Sequence, residues 1–82
     1  MVTVQFHPSF RKNLSKVKDT LMREKILKQI AKIKTHPEIG KPMRHDRKGS
    51  RELYIPPYRL SYLYLKEETL VKIIALYHKD EQ

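Results

Sequence analysis

Cysteine and tryptophan are absent from the 82 residues, and glycine occurs twice. Without cysteine there is no disulfide staple, no thiolate metal ligand and no cysteine nucleophile, and a reducing compartment is permitted. No glycine-rich phosphate loop is present, which argues against nucleotide-triphosphate chemistry. No nucleophile-elbow pattern surrounds any serine. The four histidines, at 7, 36, 45 and 78, lack metal-ligand spacing. Neither a metal nor a small-molecule cofactor is therefore expected. No apolar run approaches the roughly 18 residues of a membrane span. Met1 to Phe6 leads into polar, basic sequence rather than a secretory leader. The expectation is a cytoplasmic chain with no membrane partner. The length suits one domain, 1–82, burying about 60% of its chain surface, too small for an enclosed cofactor pocket.

What the chain does have is positive charge. There are 18 Lys and Arg against 9 Asp and Glu, a formal net charge of +9. Residues 1–50 hold 13 basic and 4 acidic side chains, and residues 51–82 hold 5 of each. The whole excess lies in the first fifty residues. Such a surplus attracts polyanions, with nucleic acid the leading candidate. A solvated basic helix face, or one held by an acidic protein, is the alternative.

Hydrophobic periodicity orders the chain. Residues 2–6, Val-Thr-Val-Gln-Phe, alternate as a half-buried strand does. Pro8 fits the first turn of a helix, where its missing N–H costs nothing. A short helix over about 8–16 places Phe10, Leu14 and Val17 on one side. Asp19 is a good N-cap. From Thr20 to Thr35 the stripe Met22, Ile26, Ile30 and Ile33 has helical spacing. His36-Pro37 stops it. Residues 37–50 contain both glycines and read as a loop carrying Lys41, Arg44, His45, Arg47 and Lys48. Leu53–Ile55 reads as a short strand broken by Pro56-Pro57. Tyr58–Leu65 alternates, with Tyr58, Leu60, Tyr62 and Tyr64 on one face and Arg59, Ser61, Leu63 and Leu65 on the other. Leu70–Tyr77 is nearly all apolar and reads as a buried central strand. The order β-α-α-β-β-β predicts an α+β fold: a helical hairpin on one face of a mainly antiparallel four-stranded sheet, the other face open.

The side chains able to do chemistry fall in the C-terminal half. Arg51, Glu52, Tyr54, Tyr58, Arg59, Tyr62, Tyr64, Tyr77, His78 and Lys79 lie between 51 and 79. A mid-strand Arg59 on an open face can clamp a phosphate bidentately; pairing with Glu52 or Glu67 is the plainer alternative. His78 and Lys79 follow the last strand. Histidine transfers protons near neutral pH, although a histidine near a chain end is as often an ordinary exposed one. The Tyr58/62/64 stripe suits packing more than base stacking. RNA cleavage needs little beyond such a set. The 2′-OH is the nucleophile, and the enzyme must align it, move protons and neutralise charge.

The element order, together with Arg51-Glu52-Leu53 followed by Tyr58-Arg59-Leu60-Ser61-Tyr62 and then Ile73-Ile74-Ala75-Leu76-Tyr77-His78-Lys79, resembles the RelE/ParE toxin superfamily over nearly the whole chain. These are the toxin halves of bacterial and archaeal toxin–antitoxin pairs. The resemblance implies a RelE-like toxin that cleaves mRNA in the ribosomal A site and is silenced by a RelB-like antitoxin. It implies that Arg59 contacts the scissile phosphate and that Lys79 stabilises the transition state where relatives have arginine. It implies that His78 corresponds to a terminal acid–base histidine. Glu52 becomes a general base or the residue that orients an arginine. Arg44, Arg47, Lys48 and Arg51 would hold RNA, and Tyr77 would stand in for the family's C-terminal tyrosine. The basic first half would meet ribosomal RNA. Two alternatives stay open on this resemblance: a ParE-like DNA gyrase inhibitor, and an RNA-binding relic without catalysis.

Overall fold

Strand β1 (Thr3–Phe6) stops at His7, whose Nδ1 accepts from the Ser9 N–H at 3.0 Å. That bond caps helix α1 (Pro8–Ser15), with Pro8 in the first turn. Helix α2 (Thr20–Thr35) opens on Asp19, whose Oδ1 accepts from the backbone N–H of Leu21 at 2.9 Å and of Met22 at 3.3 Å. Both donors are orphans of a first helical turn, so the cap stabilises α2 by about 1 kcal/mol. The joint between the helices is tied by Arg23. Its Nη1 donates to the carbonyls of Leu14 at 2.8 Å and Val17 at 3.2 Å. In α2 the expected stripe faces inward: Ile26, Ile30 and Ile33 are buried and Met22 packs against them. The computed structural model describes residues 1–43 and 48–81, apart from the Glu81 side chain.

Four further strands complete one sheet: β2 (Lys41–Pro42), β3 (Ser50–Ile55), β4 (Tyr58–Leu65) and β5 (Leu70–His78). The strand order is β1-β5-β4-β3-β2. β1 runs parallel to β5, and every other pair is antiparallel. The helices cover one face, as the periodicity predicts. The sheet has five strands where four are expected. The added strand, β2, lies in the stretch read as a loop, and β3 starts at Ser50 rather than Leu53. Two residues carry no periodicity to read, and proline is tolerated on an edge such as this one. Among the described residues no helix is long and apolar enough to cross a membrane.

One irregularity matters for the core. Ser61 opposes Ala75 but Tyr62 opposes Ile73, so Ile74 is an extra residue in β5. The bulge lets Ile73 and Leu76, three positions apart, both turn to the helices; both are buried in the same cluster. Beyond the end of β1 the edge of β5 is served by α1, where Asn13 Oδ1 accepts from the Leu76 N–H at 3.0 Å.

The tyrosine stripe of β4 belongs to this core. Tyr62 is 1% exposed, and Tyr58 and Tyr64 pack against the cluster. The Tyr62 hydroxyl donates to the Pro37 carbonyl and accepts from the Gly40 N–H, each at 2.8 Å. Burial raises its pKa, opposed by the Gly40 N–H and by the Arg51 charge. A Cβ at Gly40 would stand 2.6 Å from that hydroxyl, so only glycine fits this approach.

Candidate functional site

Cross-strand partners point to the same side of a sheet. Register therefore sets Tyr54, Arg59 and Tyr77 in one row across β3, β4 and β5. Glu52, Ser61 and Ala75 make the next row, with Lys41 of β2 opposite Glu52. Leu60 and Tyr62 alternate with Arg59 and Ser61 and face the helices, so both rows lie on the open face.

Four side chains meet there. Arg59 Nη1 donates to Glu52 Oε1 at 3.0 Å. The Tyr77 hydroxyl donates to Glu52 Oε2. The Arg59 guanidinium carbon sits 5.7 Å from the Tyr54 ring centroid, within range of a cation–π contact. Arg59 thus makes the pairing named as the plainer alternative to a phosphate clamp, with Glu52 rather than Glu67 as its partner. The pair is only partly buried, with Arg59 36% and Glu52 20% exposed. Among the described residues Arg59 Nε is buried without a hydrogen-bond partner. A shallow depression beside them is lined by Lys41, Pro42, Met43, Glu52 and Arg59.

This arrangement holds an anion-binding fork against a carboxylate that can accept a proton. Tyr77 fixes that carboxylate from its other oxygen. A phosphate arriving at Arg59 competes with Glu52 for the guanidinium, because charge-assisted bonds to either oxyanion are of similar strength.

The other nominated residues are placed apart. His78 opposes Tyr58 in register and meets its ring edge-on at 5.8 Å between centroids. It is therefore on the helix-side face, away from Arg59. Its Nδ1 accepts from the Asp80 N–H at 3.2 Å. Lys79 is exposed and opens a short 3-10 turn (Lys79–Glu81); its backbone N–H donates to the Pro57 carbonyl at 3.0 Å. Arg51 opposes Tyr62, also on the helix side. Its Nη1 donates to the carbonyls of Gly40 at 2.6 Å and Glu38 at 3.0 Å, and Nη2 lies 3.6 Å from Glu38 Oε2. That guanidinium is engaged in holding the 37–40 segment under the sheet. Lys48 is exposed in the turn before β3, beside a separate groove with Glu38, Gly49 and Arg51. Arg44 and Arg47 lie outside the described residues. Lys41, expected only as one of the basic residues of the 37–50 loop, lines the depression together with Glu52 and Arg59.

A family model for the ParE toxin of type II toxin–antitoxin systems, parDE, matches residues 4–82. No curated protein matches the sequence. Solved structures similar to this chain include the intact Escherichia coli RelBE toxin–antitoxin complex, with 21% identity over 95% of this chain and 96% of that one and a TM-score of 0.82. The RelBE2 toxin–antitoxin complex of Mycobacterium tuberculosis has 26% identity over 95% and 98%, with a TM-score of 0.81. The RelB–RelE complex of Methanococcus jannaschii has 13% identity over 94% and 92%, with a TM-score of 0.77.

Proposed function

The chain belongs to the ParE toxin family of type II toxin–antitoxin systems and has the RelE fold, and on that premise we propose that it is a ribosome-dependent mRNA endonuclease. The observation that carries this reading is the Arg59–Glu52–Tyr77 cluster on the uncovered face of the sheet. A toxin acting by protein contact alone has no need of a carboxylate held between a guanidinium and a phenol.

In the proposed reaction the ribose 2′-oxygen attacks the adjacent phosphorus. The bond from phosphorus to the 5′-oxygen breaks, leaving a 2′,3′-cyclic phosphate and a 5′-hydroxyl. Glu52 takes the proton of the 2′-OH. Arg59 holds the phosphate oxygens and offsets the charge that grows on them, which preorganised donors do at low reorganisation cost. Tyr77 positions Glu52. The leaving 5′-oxygen takes a proton from water, and no metal is required by this scheme.

The helix layer serves docking. Arg11, Lys12, Lys16, Lys18, Lys25, Lys28, Lys32 and Lys34 are all exposed on or between α1 and α2. They suit ribosomal RNA phosphates when the toxin is free. An acidic antitoxin laid over that surface would silence it, and we take such an antitoxin as its protein partner.

The test is cleavage of mRNA on programmed ribosomes. The wild type is expected to release fragments ending in a cyclic phosphate. Arg59→Ala and Glu52→Gln are each expected to slow this by about 100-fold or more, the scale of losing one transition-state contact. His78→Ala, changed on the other face, should stay within about threefold of the wild type. Full activity in both Arg59→Ala and Glu52→Gln removes the site. A second reading, ParE-like gyrase inhibition, is favoured by the family match over residues 4–82. Inhibited supercoiling with uncut mRNA selects it.

A further inference from the structure

We infer that Lys41 is the second cation of a phosphate-binding site, sharing with Arg59 the depression on the open face. The inference rests on reading that face as the RNA-facing one, and it gives a defined place to a residue that the resemblance put only among the basic residues of the first half expected to meet RNA.

Three observations support it. First, the two-residue strand β2 exists, and its pairing sets Lys41 opposite Glu52. Opposite residues project to the same side, so Lys41 projects to the side occupied by Glu52 and Arg59. The depression between them is lined by all three. Second, Lys41 is exposed and, among the described residues, makes no ion pair. Glu52 already has its oxygens on Arg59 and Tyr77, so neither is left to engage the ammonium of Lys41. Third, the alternative cation is badly placed. Lys79 follows His78, which opposes Tyr58. It lies past the Tyr77–Arg59–Tyr54 row, on the far side of that row from Lys41, and is not part of the depression's lining.

Charge explains why a second cation belongs here. Glu52 offsets much of the charge on Arg59. A phosphodiester brings one negative charge, and the pentacoordinate state formed by 2′-oxygen attack brings about one more. Once Glu52 has taken the 2′-OH proton it is neutral, and Arg59 alone is one charge short of balancing that state; Lys41 supplies it. The two cations also differ in kind. Arg59 offers a planar fork that fixes orientation, and Lys41 offers a compact charge on a flexible stem that follows the phosphate as its geometry changes. Pro42 stiffens the backbone directly after Lys41, so the flexibility resides in the side chain.

Binding separates this site from the catalytic reading. The probes are inorganic phosphate and a trinucleotide RNA whose 2′-hydroxyls are methylated, so that it cannot be cut. Each is titrated against the full chain by nuclear magnetic resonance, with thermal melting as a check that the variants are folded. In the wild type, signals of Lys41, Glu52 and Arg59 are expected to shift together. Lys41→Gln should weaken RNA binding about fivefold and lower the slope of log affinity against log salt by about 0.7, the value of one single-strand phosphate contact. Lys41→Arg, which keeps the charge, should stay within about twofold. Lys79→Gln should also stay within about twofold. Unchanged binding and slope in Lys41→Gln, or an equal loss in Lys79→Gln, overturns the site. If the wild type cuts no mRNA on ribosomes yet binds RNA through Lys41, the endonuclease reading falls and the phosphate site stands. If cleavage is intact while Lys41→Gln binds as the wild type does, the site falls and the reading stands.

Discussion

The two faces of the sheet are made from alternate residues of the same strands, yet different physics governs each. On the helix-covered face Leu60, Val71 and Ile73 are fully buried and Tyr62 is 1% exposed. On the open face Arg59 is 36% and Glu52 20% exposed. Burial of an Ile or Leu side chain stabilises by roughly 1.5–3 kcal/mol, so the first face holds the fold. A partly exposed ion pair contributes about 0–1 kcal/mol, so the Arg59–Glu52 pair contributes little to stability and can respond to a ligand. Neighbours in the chain, Arg59 and Leu60, thus belong to different functions. The core is satisfied by apolar area, whereas the open face depends on which oxygen meets which nitrogen.

The largest effect that can break this contrast is a cavity in the covered face. Ile26→Ala and Ile73→Ala are each expected to cost about 2–5 kcal/mol, read as a lower denaturant midpoint at unchanged slope. Whole domains hold only about 5–15 kcal/mol, so either change should bring down both faces together, with chemistry lost through unfolding. A loss below about 1 kcal/mol in both variants would show that these residues are not the centre of the core.

Next in size is the polar bridge that the Tyr62 hydroxyl makes inside the covered face. Tyr62→Phe leaves the buried Gly40 N–H without its acceptor, which costs about 1–3 kcal/mol. The same hydroxyl gives a sign to the pH response. Its pKa is raised by burial above the ordinary 10.0, so the folded state keeps its proton at pH values where the unfolded state loses it. The stability tied to that proton is fully present below pH 10 and is lost as pH rises through the folded value. Chemical denaturation between pH 8 and about 11 should therefore show a decline in the wild type that flattens in Tyr62→Phe. An identical decline in both would assign it to other groups.

How much of each face was legible follows from the same contrast. The covered face could be read because apolar residues recur at fixed periods. The stripe Met22, Ile26, Ile30, Ile33 and the alternation of Tyr58–Leu65 placed both helices and the core side of β4. Asp19 announced the start of α2. What stayed hidden was short or depended on tertiary partners. β2 is two residues long and includes a proline, so neither period nor propensity marks it. The Ile74 bulge is visible only as a register shift against β4. On the open face Arg59 and Glu52 were nominated by residue type, and their pairing depends on a diagonal between two strands. His78 was grouped with Arg59 because the last strand was read as ending at Tyr77, whereas β5 includes His78. The strand's alternation turns it to the other side. Arg51 has the composition of an RNA contact, but its neighbours Glu38 and Gly40 lie more than ten positions away in sequence and engage it first.

The smallest expected change in stability is the one that sharpens the contrast most. Arg59→Met removes a half-exposed ion pair with Glu52, worth about 0–1 kcal/mol. It also removes a buried Nε that has no partner, and an unsatisfied buried donor costs about 1–3 kcal/mol. These two terms oppose each other. Methionine keeps most of the aliphatic volume over Tyr54, so packing changes little. The net shift in the denaturant midpoint should therefore correspond to less than about 1 kcal/mol, in either direction. On the proposed endonuclease reading, cleavage on ribosomes should nevertheless fall by about 100-fold or more, because that reading has the guanidinium act when phosphate charge develops. A destabilisation above about 2 kcal/mol would instead make Arg59 part of the scaffold, and the division between a face that holds the fold and a face that does the chemistry would no longer stand.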